Sequence, residues 1–407
     1  MQQYSLLPLF DSSLEMESRI DLPELFDAYA ACRRTKRNTI NATAFEMDYE
    51  HNLLQLAHEI NSGSYQPSRS IAFVLNKPVQ REIFAADFRD RVVHHWVIHK
   101  LNPLFEQAFI YDSYACRIDK GVHFGIGRVD RFIRRCSGNY TRDSYILKLD
   151  IQGFFMAINK AILASQLNSF IQHQYHLPDQ ALLLELCHKI LRYEPVKNCF
   201  IKGRRRDWQG LPPDKSLFHS KPGCGLPIGN LTSQIFANFY LNPFDHFIKH
   251  DLGVRYYGRY CDDFVLVHQD KDYLNTLVPQ IADFLKAMLG LTLHPRKIYL
   301  QHYSKGVNFL GVTIKPNRIY AGKRIKGNFY DAIARHNHLT RECKPTKEEQ
   351  AAFLCSMNSY LGIMKHYNTY GLRKKMLIKH LSVWWWNLMY CSGGFVKLVS
   401  KQRTVRY

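Results

Sequence analysis

Two adjacent aspartates between two β-forming runs constrain this chain more than any other feature. Asp262 and Asp263 lie between the runs 254–260 and 264–267. A strand–turn–strand pattern of this kind presents both carboxylates at the tip of a hairpin. Adjacent acids repel each other, and the commonest reason to keep such a pair is to bind a divalent metal, although Asp-Asp is also ordinary turn chemistry. The pair predicts a hairpin and leaves both interpretations of its acids open.

A third acid favours the metal-binding interpretation. The short β-like run 145–150 ends in Asp150. Magnesium keeps several of its waters and takes only a few carboxylates together with substrate phosphates, so three acids are enough for a pair of Mg²⁺ ions. Such a pair activates a 3′-hydroxyl and stabilises a leaving pyrophosphate during in-line displacement.

A glycine-rich loop lies between these two motifs along the chain. Residues 225–234 read GLPIGNLTSQ and open the apolar segment 235–248. Glycine permits close approach of a ligand, and Asn230 is a typical helix-start residue. The order of the Asp150 strand, this loop and the Tyr-Cys-Asp-Asp hairpin resembles the palm of reverse transcriptases. The motif LPIGNLTSQ resembles the corresponding motif of a bacterial group, which contains the enzymes of diversity-generating retroelements and related phage-defence reverse transcriptases.

The resemblance implies an α+β fold with the right-hand polymerase architecture. It places an N-terminal region and fingers at 1–145, a palm with an antiparallel sheet backed by helices at 146–315, and a helical thumb at 316–407. A basic loop at 194–224 interrupts the palm, and its cations around Trp208 suit contact with single-stranded nucleic acid by charge and stacking. A disordered surface loop is the alternative. Helical periodicity predicts thumb helices at 324–340, 347–367 and 371–390.

The resemblance also assigns residues to the reacting centre. It implies that Asp150 and Asp262 are the principal ligands of two Mg²⁺ ions, with Mn²⁺ as a substitute. Asp263 is expected to support them, and the carbonyl of Ile151 to contribute. Lys297 matches a lysine that the family places near the triphosphate, where it would assist pyrophosphate departure as a general acid.

Further residues are expected around the incoming nucleotide. Lys77 and Arg81 match the basic residues that the family's fingers hairpin carries onto the triphosphate, where charge accumulates on the leaving phosphates. Phe155 matches the aromatic residue that lies under the sugar and excludes a ribose 2′-hydroxyl, which implies use of deoxynucleotides. The loop contributes Ile228, Gly229 and Gln234. Residues expected at the primer end are Tyr260, Phe309, Leu310 and Gly311.

Two residues of the loop differ from those of group II intron and retroviral enzymes. Ile228 stands in place of a glutamine, and Gln234 in place of a proline. An aliphatic side chain cannot make the hydrogen bond of a glutamine, so base-pair alignment should be enforced less strictly. Diversity-generating enzymes share this aliphatic residue and are error-prone, especially opposite adenine. We carry that property over as a hypothesis.

Charge and composition agree with a polyanionic partner inside a cell. The chain has 55 Lys+Arg against 35 Asp+Glu, a formal net charge of +20, although a basic excess also serves solubility. No apolar run is long enough to span a membrane, and the N-terminus lacks the pattern of a secretory signal. Ten scattered cysteines without a Cys-x-x-Cys pair indicate reduced thiols, so we expect a cytoplasmic protein. The resemblance implies that a bacterium or a phage encodes it.

The predicted function is RNA-directed DNA polymerisation on a dedicated structured non-coding RNA, with dNTPs as substrates and cDNA as product. A role in anti-phage defence is favoured because residues 154–159 differ from the Phe-Pro-Ser sequence that is associated with the enzymes of mutagenic retroelements. The alternatives are an error-prone enzyme of a diversity-generating retroelement and a non-catalytic RNA-binding scaffold. An accessory protein, a second reverse transcriptase, and homo- or hetero-oligomers are all compatible with the sequence. It leaves the primer, an RNA or DNA end or a protein hydroxyl, open.

Overall fold

A computed structural model describes residues 19–34, 39–76, 79–342 and 344–401, so that Lys77 lies outside the described residues. The chain divides into two units. The first comprises Met1–Tyr111, Ile151–Phe247 and Ala282–Leu293, and the second comprises Asp112–Asp150, Ile248–Ile281 and His294–Tyr407. None of the helices within the described ranges is both long and apolar enough to cross a membrane.

The elements follow one another along the chain with helices and strands mixed. The helices are α1 (Leu22–Arg33), α2 (Ile40–Glu46), α3 (Tyr49–Asn61), α4 (Phe88–Ala108), α5 (Val122–Cys136), α6 (Phe154–Ala157), α7 (Lys160–Gln174), α8 (Gln180–Arg192), α9 (Leu231–Tyr240), α10 (Asn242–His246), α11 (Lys271–Leu289), α12 (Lys323–Glu342), α13 (Lys347–Met364), α14 (Tyr370–His380) and α15 (Val383–Leu388). The strands are β1 (Ser70–Leu75), β2 (Arg81–Ala85), β3 (Tyr145–Asp150), β4 (Cys199–Ile201), β5 (Tyr256–Tyr260), β6 (Asp263–His268), β7 (Tyr299–His302), β8 (Val307–Phe309), β9 (Val312–Lys315), β10 (Arg318–Ala321), β11 (Met389–Ser392) and β12 (Lys397–Ser400).

The first unit packs helices around a small sheet of order β2-β1-β4. Strand β1 runs antiparallel to β2 and parallel to β4, which comes from the basic loop 194–224. Helix α9, the segment after the glycine-rich loop, is buried on nearly all sides and packs against α4 inside the unit. Phe105 of α4 stacks on Phe239 of α9 with ring centroids 4.5 Å apart. The core of this unit therefore holds the end of the glycine-rich loop in place.

The second unit contains a four-stranded antiparallel sheet of order β5-β6-β3-β7. Its central strands carry buried apolar residues on both faces, and helix α5 packs on one of these faces through Val129, Phe132 and Ile133. The same cluster includes Val307 and Phe309 of a second antiparallel sheet, β10-β9-β8. The four-stranded sheet and the sheet β10-β9-β8 thus share one hydrophobic core.

The C-terminal helices of the second unit form their own hydrophobic core. The helix predicted at 371–390 is wrong in its second half. Helix α14 ends at His380, and a short helix and the hairpin β11–β12 follow it. The Asn337 side chain accepts a hydrogen bond from the Ser382 backbone N–H at 3.0 Å, which stabilises the break. Beyond it, Trp385 is fully buried and stacks on Phe353 at 3.7 Å. Burial of this large ring outweighs continuation of the helix.

Candidate active site

The sheet of the second unit brings the acidic motifs together. In the β3–β6 register, Asp150 lies directly opposite Asp263, so both side chains project from the same face of the sheet. Cys261 has φ +52°, a left-handed conformation that reverses the chain between β5 and β6. Asp262 therefore lies in the turn of the hairpin, as the sequence pattern predicted. Two of the three acids are cross-strand neighbours, and the third is adjacent to them.

Two lysines neutralise these acids. Lys148 Nζ lies 3.0 Å from Asp263 Oδ2, and Lys297 Nζ lies 2.8 Å from Asp150 Oδ1. Lys297 is held near the strand end because the His294 backbone N–H donates to the carbonyl of Asp150 at 2.8 Å. Sequence reasoning missed Lys148, although its position two residues before Asp150 on a strand places both side chains on one face.

The electrostatics of Asp263 favour a bound cation. Burial raises the pKa of Asp263 to about 7; the neighbouring Lys148 opposes this shift, while the charges of Asp262 and Asp150 add to it. The buried Asp263 Oδ1 has no hydrogen-bond partner among the described residues. Carboxylate oxygens of this kind are the ligands that magnesium prefers. Within the described residues, however, no three acidic, histidine or cysteine side chains are grouped as a ready-made metal site.

A buried arginine supports the turn from behind, and sequence reasoning did not identify it. Arg259 of β5 is fully buried, and its Nη1 donates to the carbonyl of Cys261 at 3.0 Å. Its backbone N–H donates to the carbonyl of Asp112, and its own carbonyl accepts from the Tyr114 N–H, both at 2.9 Å. Asp112 in turn pairs with Arg128 at 2.6 Å. The guanidinium thus holds the backbone of the hairpin in position.

The glycine-rich loop is bound on two sides within the first unit. On one side, the Phe84 N–H of β2 donates to the carbonyl of Ile228 at 2.8 Å. On the other, the Leu226 N–H donates to the carbonyl of Phe155 at 2.9 Å. Gly229 has φ +126°, and a Cβ there would lie 2.8 Å from Ile83 Cγ2, so this close approach requires glycine.

The structure brings several of the predicted nucleotide-binding residues together. Phe155 and Ile228 are half-buried in one cluster with Met156 and Leu217. Arg81 begins β2, the strand that pairs with the loop, and its side chain is exposed. The remaining loop positions are Gly229, which is exposed, and Gln234, which is exposed in the first turn of α9. Ile151 belongs to the same unit and forms an isolated bridge with Leu293.

The predicted primer-end residues belong to the second unit. Phe309 is only 1% exposed, so it is a core residue. Leu310 and Gly311 have φ +48° and +85° and form the turn between β8 and β9. Tyr260 and Leu310 pack against the same hydrophobic cluster. Tyr260, Phe309 and Leu310 therefore adjoin the same core.

Comparison with known proteins identifies relatives of this arrangement. A family model described as "Reverse transcriptase (RNA-dependent DNA polymerase)" matches residues 79–314. Protein YkfC of Escherichia coli is 22% identical over 306 residues, which cover 67% of this chain and 73% of that protein. A COX1/OXI3 intron 2 protein of Saccharomyces cerevisiae is 20% identical over 339 residues, 68% of this chain and 35% of that protein. The apo telomerase of Candida tropicalis superposes with a TM-score of 0.45 at 13% identity, over 76% of this chain and 56% of that one.

Proposed function

The chain belongs to the reverse transcriptase family, and we propose that it synthesises cDNA from dNTPs on a structured non-coding RNA template. The matched residues 79–314 contain the four-stranded sheet with its acids and the glycine-rich loop. Family membership, together with the antiparallel sheets and helices, confirms the predicted α+β fold class with right-hand polymerase architecture. The observation that carries the proposal is the cross-strand pairing of Asp150 with Asp263 beside the Asp262 turn.

These residues fit a pair of Mg²⁺ ions, with Mn²⁺ as a substitute. Asp150, Asp262 and Asp263 would hold the ions, with the carbonyl of Ile151 as a further ligand. When bound, the ions would activate the primer 3′-hydroxyl and stabilise charge on the pyrophosphate. Lys148 lies against Asp263 and favours the charged form of this carboxylate. The side chain of Lys297 is 46% exposed, which suits a residue that donates a proton to the leaving pyrophosphate.

Selection of the nucleotide would rest on Phe155 and Ile228, which pack against the same hydrophobic cluster. This packing and the backbone hydrogen bonds on both sides of the loop restrict where the Phe155 ring lies. A fixed ring excludes a ribose 2′-hydroxyl better than a mobile one, so we assign it discrimination for dNTPs. Arg81, Lys77, Gly229 and Gln234 would bind the phosphates and sugar. Tyr260, Phe309, Leu310 and Gly311 would position the primer end.

The biological role that we propose is anti-phage defence in the cytoplasm of a bacterium. A specific residue favours a second candidate, the error-prone enzyme of a diversity-generating retroelement. Ile228 is aliphatic, like the residue of those enzymes and unlike the glutamine of group II intron and retroviral enzymes. An accessory protein or a second polymerase chain would complete either system. Sequencing of the RNA and cDNA that copurify with the protein distinguishes the two, since a template repeat with adenine-directed substitutions supports the second.

Extension of a labelled primer on a defined RNA template tests the proposed activity. We expect the wild type to incorporate dNTPs in the presence of Mg²⁺, and the Asp262→Ala/Asp263→Ala variant to lose incorporation by about a thousandfold or more, because both carboxylates of the hairpin are removed. Asp272→Asn, an exposed acid of α11, is the matched control and should retain wild-type incorporation. Equal background from the wild type and the double variant would instead support a non-catalytic RNA-binding scaffold.

A further inference from the structure

The basic loop 194–224 is an ordered part of the first unit. Its residues Cys199–Ile201 extend the sheet as β4, parallel to β1, and the Lys202 N–H continues the pairing by donating to the carbonyl of Ala72 at 2.8 Å. Beyond β4, Gln80 Nε2 donates to the carbonyls of Asp207 and Gln209 at 2.9 and 3.2 Å. The loop is therefore fixed to the neighbouring hairpin at several points.

A buried glutamate anchors the rest of the loop. Glu82 of β2 is only 1% exposed. Its Oε2 accepts hydrogen bonds at 2.7 Å from the indole of Trp208 and the hydroxyl of Ser216, and its Oε1 accepts one from the backbone of Leu217 at 2.5 Å. Trp208 is half-buried, and its indole N–H is bonded to Glu82, so that contact of this ring with single-stranded nucleic acid stays a prediction.

Phe200 lies on the other face of the sheet. In the register, Phe200 lies opposite Ile71, whereas Ala72, which pairs with Phe84, points into the core. The Phe200 ring is 54% exposed. The guanidinium carbon of Arg69 lies 5.9 Å from the ring centroid, and its Nη2 donates to the carbonyl of Cys199 at 3.0 Å. An exposed aromatic ring on a rigid strand is thus flanked by a cation.

Four further cations follow directly after β4. Lys202, Arg204, Arg205 and Arg206 are all exposed. None of their side chains forms an ion pair in the part of the chain that the structure describes. The one nearby acid, Asp207, accepts instead from the Arg204 backbone N–H at 2.8 Å, which orders the turn that carries the arginines. Their positive charge is therefore available to a ligand.

We propose that Phe200 and the turn Arg204–Arg206 bind single-stranded RNA, with one base stacked on Phe200 and adjacent phosphates held by the arginines. A base face and a phosphate chain are the two features that an exposed aromatic ring beside uncompensated cations recognises. In a duplex the bases stack on one another, so that none is available to stack on Phe200. An acidic polypeptide would contact the arginines but would leave the Phe200 ring without a partner. The inference rests on the proposed function in that it takes the RNA to be template.

Fluorescence anisotropy with an unstructured oligouridylate of about 20 nucleotides tests this surface in the full chain, without nucleotides present. We expect Arg204→Gln/Arg205→Gln/Arg206→Gln to weaken binding at least about tenfold and to lower the magnitude of the slope of log affinity against log salt by about two. We expect Phe200→Ala to weaken binding about tenfold with the slope unchanged, and Phe200→Tyr to restore it.

The matched control removes three exposed cations elsewhere, in the variant Arg192→Gln/Lys271→Gln/Lys286→Gln. If it weakens binding as much as the arginine variant does, the inference is overturned, because general charge then explains the affinity. If Phe200→Ala binds as the wild type does while the arginine variant is weakened, the surface attracts acidic ligands without contacting bases, and the inference fails as well.

The outcome is separable from that of the proposed function. A protein that binds RNA through this surface but extends no primer would overturn the proposed function and leave the inference standing. Normal primer extension together with unchanged RNA binding by both variants would overturn the inference and leave the proposed function standing. Thermal melting of each variant checks that the exposed substitutions leave the fold intact.

Discussion

Individual residues of this protein illustrate how burial changes side-chain chemistry. His94 of α4 is buried, and its Nδ1 has no hydrogen-bond partner among the described residues. It lines a cavity of about 20 Å³ in the first unit together with Asp90, Lys160 and Thr232. Burial lowers the pKa of His94 to about 3, whereas burial raises that of Asp90 to about 6. Both shifts favour the neutral form of the group.

The lowered pKa of His94 predicts a loss of stability in acid. An unfolded histidine takes up a proton below about pH 6.5 while the buried one does not, so the free energy of unfolding falls as pH falls, by about 1.4 kcal/mol per unit. Between about pH 7 and pH 5 the wild type should lose about 2 kcal/mol more than His94→Gln, measured by urea unfolding. The oppositely signed contribution of Asp90 is present in both proteins and cancels. His58→Gln, at an exposed histidine of α3, should behave as the wild type does.

Ile228 carries a prediction about fidelity. A glutamine at this position would add one hydrogen bond to the nucleotide, and one such bond corresponds to about a fivefold to tenfold preference. We expect Ile228→Gln to lower misincorporation opposite adenine by about that factor, measured by sequencing cDNA from a defined RNA template. Ile228→Val, which stays aliphatic, is the control and should leave the spectrum unchanged. An identical spectrum for the glutamine variant would remove the hypothesis.

At the scale of elements, the glycine-rich loop needs glycine at position 229, because its backbone there adopts a positive φ and lies close to β2. Gly229 combines φ +126° with a close approach to β2, where an added Cβ would lie 2.8 Å from Ile83 Cγ2 and 3.2 Å from the carbonyl oxygen of Phe84. Both the backbone angle and the contact disfavour any side chain. The loop cannot move away without loss of the hydrogen bond between Phe84 and Ile228.

Gly229→Ala is therefore expected to destabilise the protein by about 1–3 kcal/mol and to reduce primer extension, because the loop must shift off β2. Thermal melting and extension rates measure the two effects. Gly127→Ala is the matched control: this glycine lies inside α5, nothing lies within 4 Å of an added Cβ, and alanine has the higher helix propensity. A variant at Gly229 that melts and extends as the control does would contradict the assigned role of this backbone.

The sequence predicted some of the secondary-structure elements correctly and missed others. The hairpin around Asp262 was predictable because β-forming runs and a turn are local signals. The break in the helix predicted at 371–390 was not, since the hydrogen bond from Ser382 to Asn337 joins residues 45 positions apart. Strand β4 was missed for the same reason, because three residues of a basic loop become a strand only by pairing with β1.

For the whole molecule, the net charge of +20 predicts how RNA binding responds to salt. With about five phosphate contacts to a single strand, affinity should fall about a hundredfold between about 50 and 200 mM monovalent salt. Anisotropy titrations at several salt concentrations measure the slope of log affinity against log salt. A slope near zero would mean that the basic excess serves solubility and not nucleic-acid binding.

The sequence alone indicated the family, the hairpin at Asp262 and the glycine-rich loop that precedes a helix, because each depends on residue types at short spacing. Tertiary structure alone decided which groups face each other. Lys297 pairs with Asp150 across 147 positions, and Trp208 donates to Glu82 across 126. Local periodicity specifies an element and its faces, whereas the partner of each face depends on the long-range packing of the core.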